Sequence, residues 1–350
     1  MERAERELRV DAASAGQRLD VFLAHHVPGT ARTRWQRIIA SGGVRVNGRP
    51  GRKGTLLENG DVVEIEGPLP TEKNLRPVPE PDQPLTLIHA DRHLVVVAKP
   101  AGIPTQPIRP GERGTLASAV VARFPDCLRA SPDPRDGGFV QRLDRDTSGV
   151  IIAARSRKAW EQIRASFKKG AVEKTYLALV AGSPPESFVV EYWIAPYPGD
   201  KRRVIAVPSN TVPPEDALSA RTEVKVLRRF TAHALVAATT RTGRRHQIRA
   251  HLAAAGYPLL GDPLYGPTEH GASGELTPAA GEPTPAGTED TAPEARTALA
   301  LPQGLSLARH LLHASRITLP HPEHGGLVTF EAPLPDEAER TLAALAMSSH

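Results

Sequence analysis

Six prolines fall between Gly67 and Pro84 (Pro68, Pro70, Pro77, Pro79, Pro81 and Pro84). Proline fixes φ and lacks a backbone donor, so such a density is incompatible with helix or sheet and predicts a stiff, extended connection. The tract therefore divides the 350 residues into a small unit at 9–68, a linker at 69–84 and a larger unit at 85–345. A chain of this length fits about two domains. A second proline-rich stretch, 268–301, has no apolar period and carries six acids (Glu269, Glu275, Glu282, Glu289, Asp290, Glu294) against Arg296. It reads as a disordered insertion in the larger unit.

In the small unit, Leu19, Phe22 and Leu23 recur at helical spacing. A second helix is expected from Arg32 to Ala40, with Trp35, Ile38 and Ile39 inward and Arg34 and Arg37 outward. Gly43 is expected to end it tightly and Val44-Arg45-Val46 to follow as a strand. Asn47-Gly48 is a hairpin turn signal, and Gly60-Asp61 leads into a strand at Val62–Ile65. Between Gly16 and Lys53 the cations Arg18, Arg32, Arg34, Arg37, Arg45, Arg49, Arg52 and Lys53 face a single acid, Asp20. That clustering is the electrostatic footprint of a nucleic-acid binder; the overall charge of +5 is a weaker sign of the same thing.

Cys127 is the only cysteine, which excludes an intrachain disulfide and a cysteine-built zinc site. The charged N-terminus lacks a signal-peptide core, and no apolar run approaches ~18 residues. The expected location is the cytoplasm.

In the larger unit Leu94–Ala98 is an apolar run suited to a buried strand, broken by Lys99-Pro100-Ala101-Gly102. The polar loop Gln141-Arg142-Leu143-Asp144-Arg145-Asp146-Thr147-Ser148-Gly149 runs directly into the apolar Val150–Ala154. Loops held by a rigid strand often carry catalytic groups, although composition alone favours a salt-bridged Asp/Arg turn. Ser156 caps a helix with Trp160, Ile163 and Phe167 on its core face and Gly170 at its stop. Lys174–Val180 reads as a strand with Lys174, Tyr176 and Ala178 on one face. His246 and His251 lie five residues apart, point to different helix faces, and have no Glu between them. They do not read as a zinc pair. The chain also lacks a dinucleotide fingerprint and a phosphate loop, so neither cofactor nor metal is expected.

Two resemblances sharpen this reading. Thr33–Gly48 with Gly60-Asp61-Val62-Val63 resembles the S-four-type RNA-binding domain, two helices against a small sheet. Arg142–Gly149 resembles, without a gap, the signature of the RluA family of RNA pseudouridine synthases. The segments Lys174-Thr175-Tyr176, Gly243–Leu252, Gly256–Gly266, Leu311–Ala314 and His321-Pro322 are similar to further motifs of that family. The resemblance implies an α+β chain: a small S-four-like domain, then a catalytic domain on a central mixed, mainly antiparallel sheet flanked by helices. It implies Asp144 as the catalytic carboxylate, Arg249 as its ion-pair partner and Tyr176 lying against the target base. The chemistry adds that a proton must leave C5, for which the Tyr176 hydroxyl is placed, though a reference pKa near ~10 makes it a poor base unless perturbed. Arg142, Arg145, Arg244, Arg245, His246, Gln247, Arg34 and Arg37 are the expected RNA contacts. Two positions depart from the family pattern: Gln141 stands where His is usual, and Arg245 where Thr or Ser is usual. The implied reaction is conversion of uridine to pseudouridine in structured RNA, foremost large-subunit ribosomal RNA, by a monomer with no protein partner. The alternatives are transfer RNA as substrate, a catalytically silent ribosome-assembly factor, and a base-flipping glycosylase.

Overall fold

The computed structural model describes residues 6–27, 30, 32–52, 54–66, 76–214, 216–266 and 307–348. The expected insertion at 268–301 and the first part of the linker lie outside them. Among the described residues no helix is long and apolar enough to cross a membrane.

The N-terminal residues form a four-stranded sheet in the order β1-β4-β2-β3 (β1 Arg6–Arg9, β2 Val44–Val46, β3 Arg49–Pro50, β4 Val62–Ile65) with helices α1 (Leu19–His26) and α2 (Arg32–Ala40). Leu19, Phe22, Leu23, Trp35, Ile39, Val44, Val63 and Ile65 make its own buried core. Asn47 and Gly48 take φ of 51° and 74°, the pair of left-handed residues that a tight hairpin between β2 and β3 requires. The stop of α2 differs from expectation. Gly42, not Gly43, adopts the left-handed conformation, at φ 82°. Gly42 N–H donates to Ile39 O and Gly43 N–H to Ile38 O, the two bonds of a Schellman stop. Gly43 is required for space, since a Cβ there would sit 2.9 Å from Ile38 Cγ2.

Asp20, the lone acid of the basic stretch, is buried and binds Arg32 Nε at 2.9 Å, Gln36 Nε2 at 2.6 Å and Arg18 Nε at 3.2 Å. It staples α1 to α2 and uses up two of the cations. Arg45 pairs with Glu66. Among the described residues Arg34, Arg37, Arg49 and Arg52 keep their charge unpaired.

The remaining described residues build a ten-stranded mixed sheet in the order β10-β9-β11-β12-β8-β13-β7-β6-β5, with β14 also on β13. The strands are β5 Thr86–Ala90, β6 Leu94–Lys99, β7 Ser148–Ala154, β8 Glu173–Ala181, β9 Ser187–Pro196, β10 Val204–Pro208, β11 Leu218–Arg229, β12 His233–Thr240, β13 Leu312–Pro320 and β14 Leu327–Glu331. Each pairs antiparallel with its neighbours except β13 with β7, which is parallel. Four helices pack on it: α3 Leu116–Arg123, α4 Arg157–Lys168, α5 Gln247–Ala254 and α6 Asp336–Met347. Strand alternation distributes them. Ala178 and Val180 of β8 pack with Ile248 and Leu252 of α5. Leu179 and Ala181 pack with Ala338 and Leu345 of α6 on the other face. All seven residues of β7 are buried, as a strand covered on both faces must be.

The last proline-rich residues before β5 are not a free extended spacer. Glu80 N–H donates to Ser118 O, and Gly114 N–H donates to the Glu80 carboxylate. A single non-proline between Pro79 and Pro81 supplies the donor that ties this segment to α3.

Gly149, at the start of β7, is where the two halves of the sheet meet. Its φ is 119°, and a Cβ there would lie 2.2 Å from Ala314 O on β13. Gly149→Ala is expected to cost roughly 3 kcal/mol, read as a melting temperature about 10 °C lower. An unchanged melting curve would contradict the parallel pairing of β13 with β7.

Candidate active site

The loop from Gln141 to Thr147 enters β7, and every turn of it is tied down. Thr147 N–H donates to Asp144 O, closing a tight turn. Leu143 is held by both its N–H and its carbonyl on Thr105 Oγ1, at 3.2 and 2.9 Å. Lys99, the last residue of β6, is 1% exposed. Its ammonium donates to Arg145 O at 2.7 Å, Thr147 O at 2.9 Å and Pro100 O at 2.9 Å, which uses all three of its protons. Burial pulls its pKa down to about 7, against the opposing fields of Asp146 and Asp144. The sequence showed only an apolar strand and a break there; the signal that could have found it is a lysine ending a strand buried throughout. On the far side, Thr147 Oγ1 meets His310 Nε2 at 3.1 Å and Ser148 Oγ meets His313 Nδ1 at 2.9 Å.

These ties present the Asp144 carboxylate, about one-third exposed, to a cleft of about 610 Å³. Arg142, Arg145, Tyr176, Arg244, Arg245, His246 and Arg249 line the same cleft. Arg249 Nη1 donates to Asp144 Oδ2 at 3.0 Å. The other edge of that guanidinium grips Asp262, Nε to Oδ2 at 2.7 Å and Nη2 to Oδ1 at 2.8 Å. Asp262 is fully buried, and its Oδ1 also accepts from Leu264 N and Tyr265 N. Burial alone would lower the arginine's pKa, but the Asp262 bond and then the Asp144 charge outweigh it and hold the guanidinium firmly protonated. One cation thus orients the Asp144 carboxylate while a second carboxylate fixes the cation.

A parallel chain of contacts reaches Asp144 through His246. This residue is the N-cap of α5 in the left-handed conformation, φ 51°, an uncommon state for a residue with a side chain. Its ring does not cap the helix. Val204 N–H donates to Tyr265 Oη at 2.8 Å, and Tyr265 Oη lies 3.0 Å from His246 Nδ1. Tyr265 has one proton to give, and in the tautomer in which Nδ1 accepts it the imidazole carries its own proton on Nε2, 3.7 Å from Asp144 Oδ2. Burial, against the pull of Asp144, lowers the His246 pKa to about 4, and the ring is a neutral donor at pH 7. Tyr265→Phe should therefore leave the fold intact and lower turnover by roughly tenfold, the worth of a single hydrogen bond. Nitrogen-15 NMR should show the Nε2–H tautomer in the parent and a mixture in the variant. A His246 that is cationic at pH 7 in the parent would sink this assignment.

Tyr176 lines the cleft from β8. Burial first, then the Asp144 charge, pushes its phenol well above the ordinary tyrosine range. Its hydroxyl thus remains a proton carrier rather than a base. Lys174, two residues earlier, donates to Thr242 O at 2.6 Å and lies 5.5 Å from the Phe167 ring centre. Burial, then Arg244, lowers its pKa to about 8. Gln247 is placed differently from expectation. Its amide nitrogen donates to Arg221 O, Thr222 Oγ1 and Thr240 Oγ1, and its oxygen accepts from Thr242 Oγ1 and Arg244 N. Its donors and acceptors are spent on tying β11 to the 240–244 loop, which leaves none for RNA. Arg244 donates to Ser219 O and Arg245 to Arg202 O, both keeping donors free at the cleft rim. Arg34 and Arg37 lie on α2 of the N-terminal unit.

Residues 93–254 match the family model for RNA pseudouridylate synthase. The ribosomal large subunit pseudouridine synthase D of Neisseria meningitidis is 34% identical over 342 residues, 98% of this chain and 82% of that protein. This chain belongs to the RluA family of RNA pseudouridine synthases. An RNA pseudouridine synthase of Chloroflexus aurantiacus, itself uncharacterised, is 34% identical over 99% of this chain and 95% of its own length. The human RNA pseudouridylate synthase domain containing 4 protein shares the fold, with a TM-score of 0.50 at 23% identity over 75% of this chain. The enzyme is accordingly an isomerase of RNA uridines. Of the residues expected from the sequence, Asp144, Tyr176 and Arg249 line one cleft; Lys99, Asp262 and Tyr265 bond to the Asp144 loop, to Arg249 and to His246.

Proposed function

We propose that this synthase isomerises uridine in large-subunit ribosomal RNA with Asp144 as its essential carboxylate. The observation that carries the reading is the Asp144–Arg249–Asp262 chain at the floor of an arginine-rimmed cleft. The target base must leave its stack to reach that floor, at a cost of a few kcal/mol. Phosphate contacts from Arg142, Arg145, Arg244 and Arg245 offset this. Tyr176 lies against the flipped uracil, and His246 presents a neutral N–H beside the carboxylate. In the reaction the N1–C1′ bond breaks, uracil turns, the C5–C1′ bond forms, and the proton on C5 leaves as N1 gains one. No oxidant, reductant or energy source enters that balance.

The N-terminal unit acts in this scheme as an S-four-type domain, 9–68, that contributes affinity and leaves the chemistry to 85–345. The enzyme works as a cytoplasmic monomer. Arg34→Gln with Arg37→Gln in the full chain should weaken RNA binding while turnover at saturating RNA stays near the parent's. The slope of log affinity against log salt should shrink by about 0.9 for each phosphate that the variant no longer neutralises. An unchanged slope would remove α2 from the RNA interface. The function itself is tested by chemical mapping of pseudouridine in ribosomal and transfer RNA from cells with and without the gene. Loss of a site in large-subunit RNA is the expected result. Loss only in transfer RNA, or none, overturns it.

A further inference from the structure

Helix α4 turns a stripe of large side chains toward the cleft: Trp160, Arg164 and Phe167, at i, i+4 and i+7, all line it. The stripe is pinned. The Trp160 indole N–H donates to Phe139 O at 3.2 Å, and Arg164 Nη1 donates to Val140 O at 3.0 Å. Both carbonyls belong to the segment that continues through Gln141 into Asp144, so the stripe and the reactive carboxylate share one backbone. The Arg164 guanidinium lies over the Trp160 ring, 5.7 Å from its centre. This leaves an exposed planar cation backed by an aromatic ring, with no carboxylate in ion-pair range among the described residues. Arg142, which lines the same cleft, is also exposed and without a salt bridge among them. A cleft of about 610 Å³ is larger than one flipped uridine fills.

We propose that the α4 wall is a stacking subsite for a second unpaired nucleobase of the RNA, one flanking the target uridine, with its phosphate on Arg142. Unpaired bases stack on arginine planes and aromatic rings alike. An arginine already held over a tryptophan loses little freedom on receiving one. The inference rests on the RNA-isomerase reading above and adds to it a determinant of which uridines are accepted. The wall sits next to Gln141, one of the two positions that depart from the family pattern.

The test uses the full chain and in vitro transcribed large-subunit RNA, in which the modified uridine is first located. Short RNAs spanning that uridine are then made with one abasic residue at each flanking position in turn. For the parent enzyme one abasic position should raise KM by roughly tenfold, the scale of a single base stack, with kcat little changed. Arg164→Ala and Arg164→Lys should both show the raised KM on intact RNA and no further loss at that position. Lysine keeps the charge and lacks the plane, so its failure to rescue identifies stacking. If both variants remain as sensitive as the parent at every flanking position, or if lysine restores the parent KM, the subsite does not exist. Absence of pseudouridine with the parent enzyme would instead refute the underlying function, a different result from either.

Discussion

Asp144→Asn forms no detectable pseudouridine while binding RNA within about twofold of the parent, the tolerance of a substitution away from buried packing. The asparagine keeps the size of the side chain and an oxygen for Arg249. What it removes is the negative charge that Arg249 holds in the cleft. Folding should be spared, because Arg249 retains its bidentate bond to Asp262 and no buried charge is left alone. Pseudouridine sequencing and filter binding on the same preparation check both halves. Full activity in this variant would end the assignment of Asp144, and weakened binding at normal turnover would make it an RNA contact only.

Arg249→Ala should fail differently, in stability as well as in chemistry. It strands Asp262, which has no solvent-exposed side-chain surface. Removing one partner of a buried pair costs about 3–5 kcal/mol, so the melting temperature should fall by roughly 10 °C. Arg249→Met combined with Asp262→Leu should recover part of that loss, since an apolar pair strands no charge although the Leu264 and Tyr265 amides lose their acceptor, yet remain inactive. The pH dependence follows from the direction of the Asp262 shift. Burial raises its pKa, but the Arg249 bond and charge outweigh that and hold it below the ordinary carboxylate value. A depressed folded pKa contributes stability above about pH 4 and loses it as pH falls through the folded value. The gap in melting temperature between parent and Arg249→Ala should therefore be widest at neutral pH and narrow below about pH 4. A gap that widens on acidification would reverse the sign and dismiss the pair as the cause.

The parts of the site that are legible in the sequence are those whose neighbours in the chain announce them. Asp144 sits in a charged loop abutting a buried strand, and Tyr176 and Arg249 sit in short motifs with recognisable spacing. Lys99 is not legible, and Asp262 and Tyr265 are legible only as members of the Gly256–Gly266 segment, because what each side chain holds is set by the fold. Lys99 serves carbonyls 46 and 48 residues away, and Tyr265 serves an amide 61 residues away. Helical periodicity puts Trp160 and Phe167 on the inner face of α4, and both do pack against the core. Periodicity gives the direction of a face and not what it meets, which here is partly core and partly cleft. Gln247 lies in a basic motif that points to RNA, whereas its amide is engaged by hydroxyls and backbone groups of β11 and the 240–244 loop. Charge counting likewise overstates the free cations of the N-terminal unit, since one buried aspartate consumes two of them.

The two-residue parallel pairing of β13 with β7 has a consequence for how the enzyme comes into being. The loop that carries Asp144 is clamped on one flank by Lys99 and on the other by His310 and His313. During synthesis the first clamp emerges before the loop and the second well over a hundred residues after it. A nascent chain is therefore inert until translation has passed β13, however complete its motifs. Premature stops anywhere before residue 310 should behave as null alleles, even those that preserve Asp144, Tyr176, Arg249 and Asp262 together.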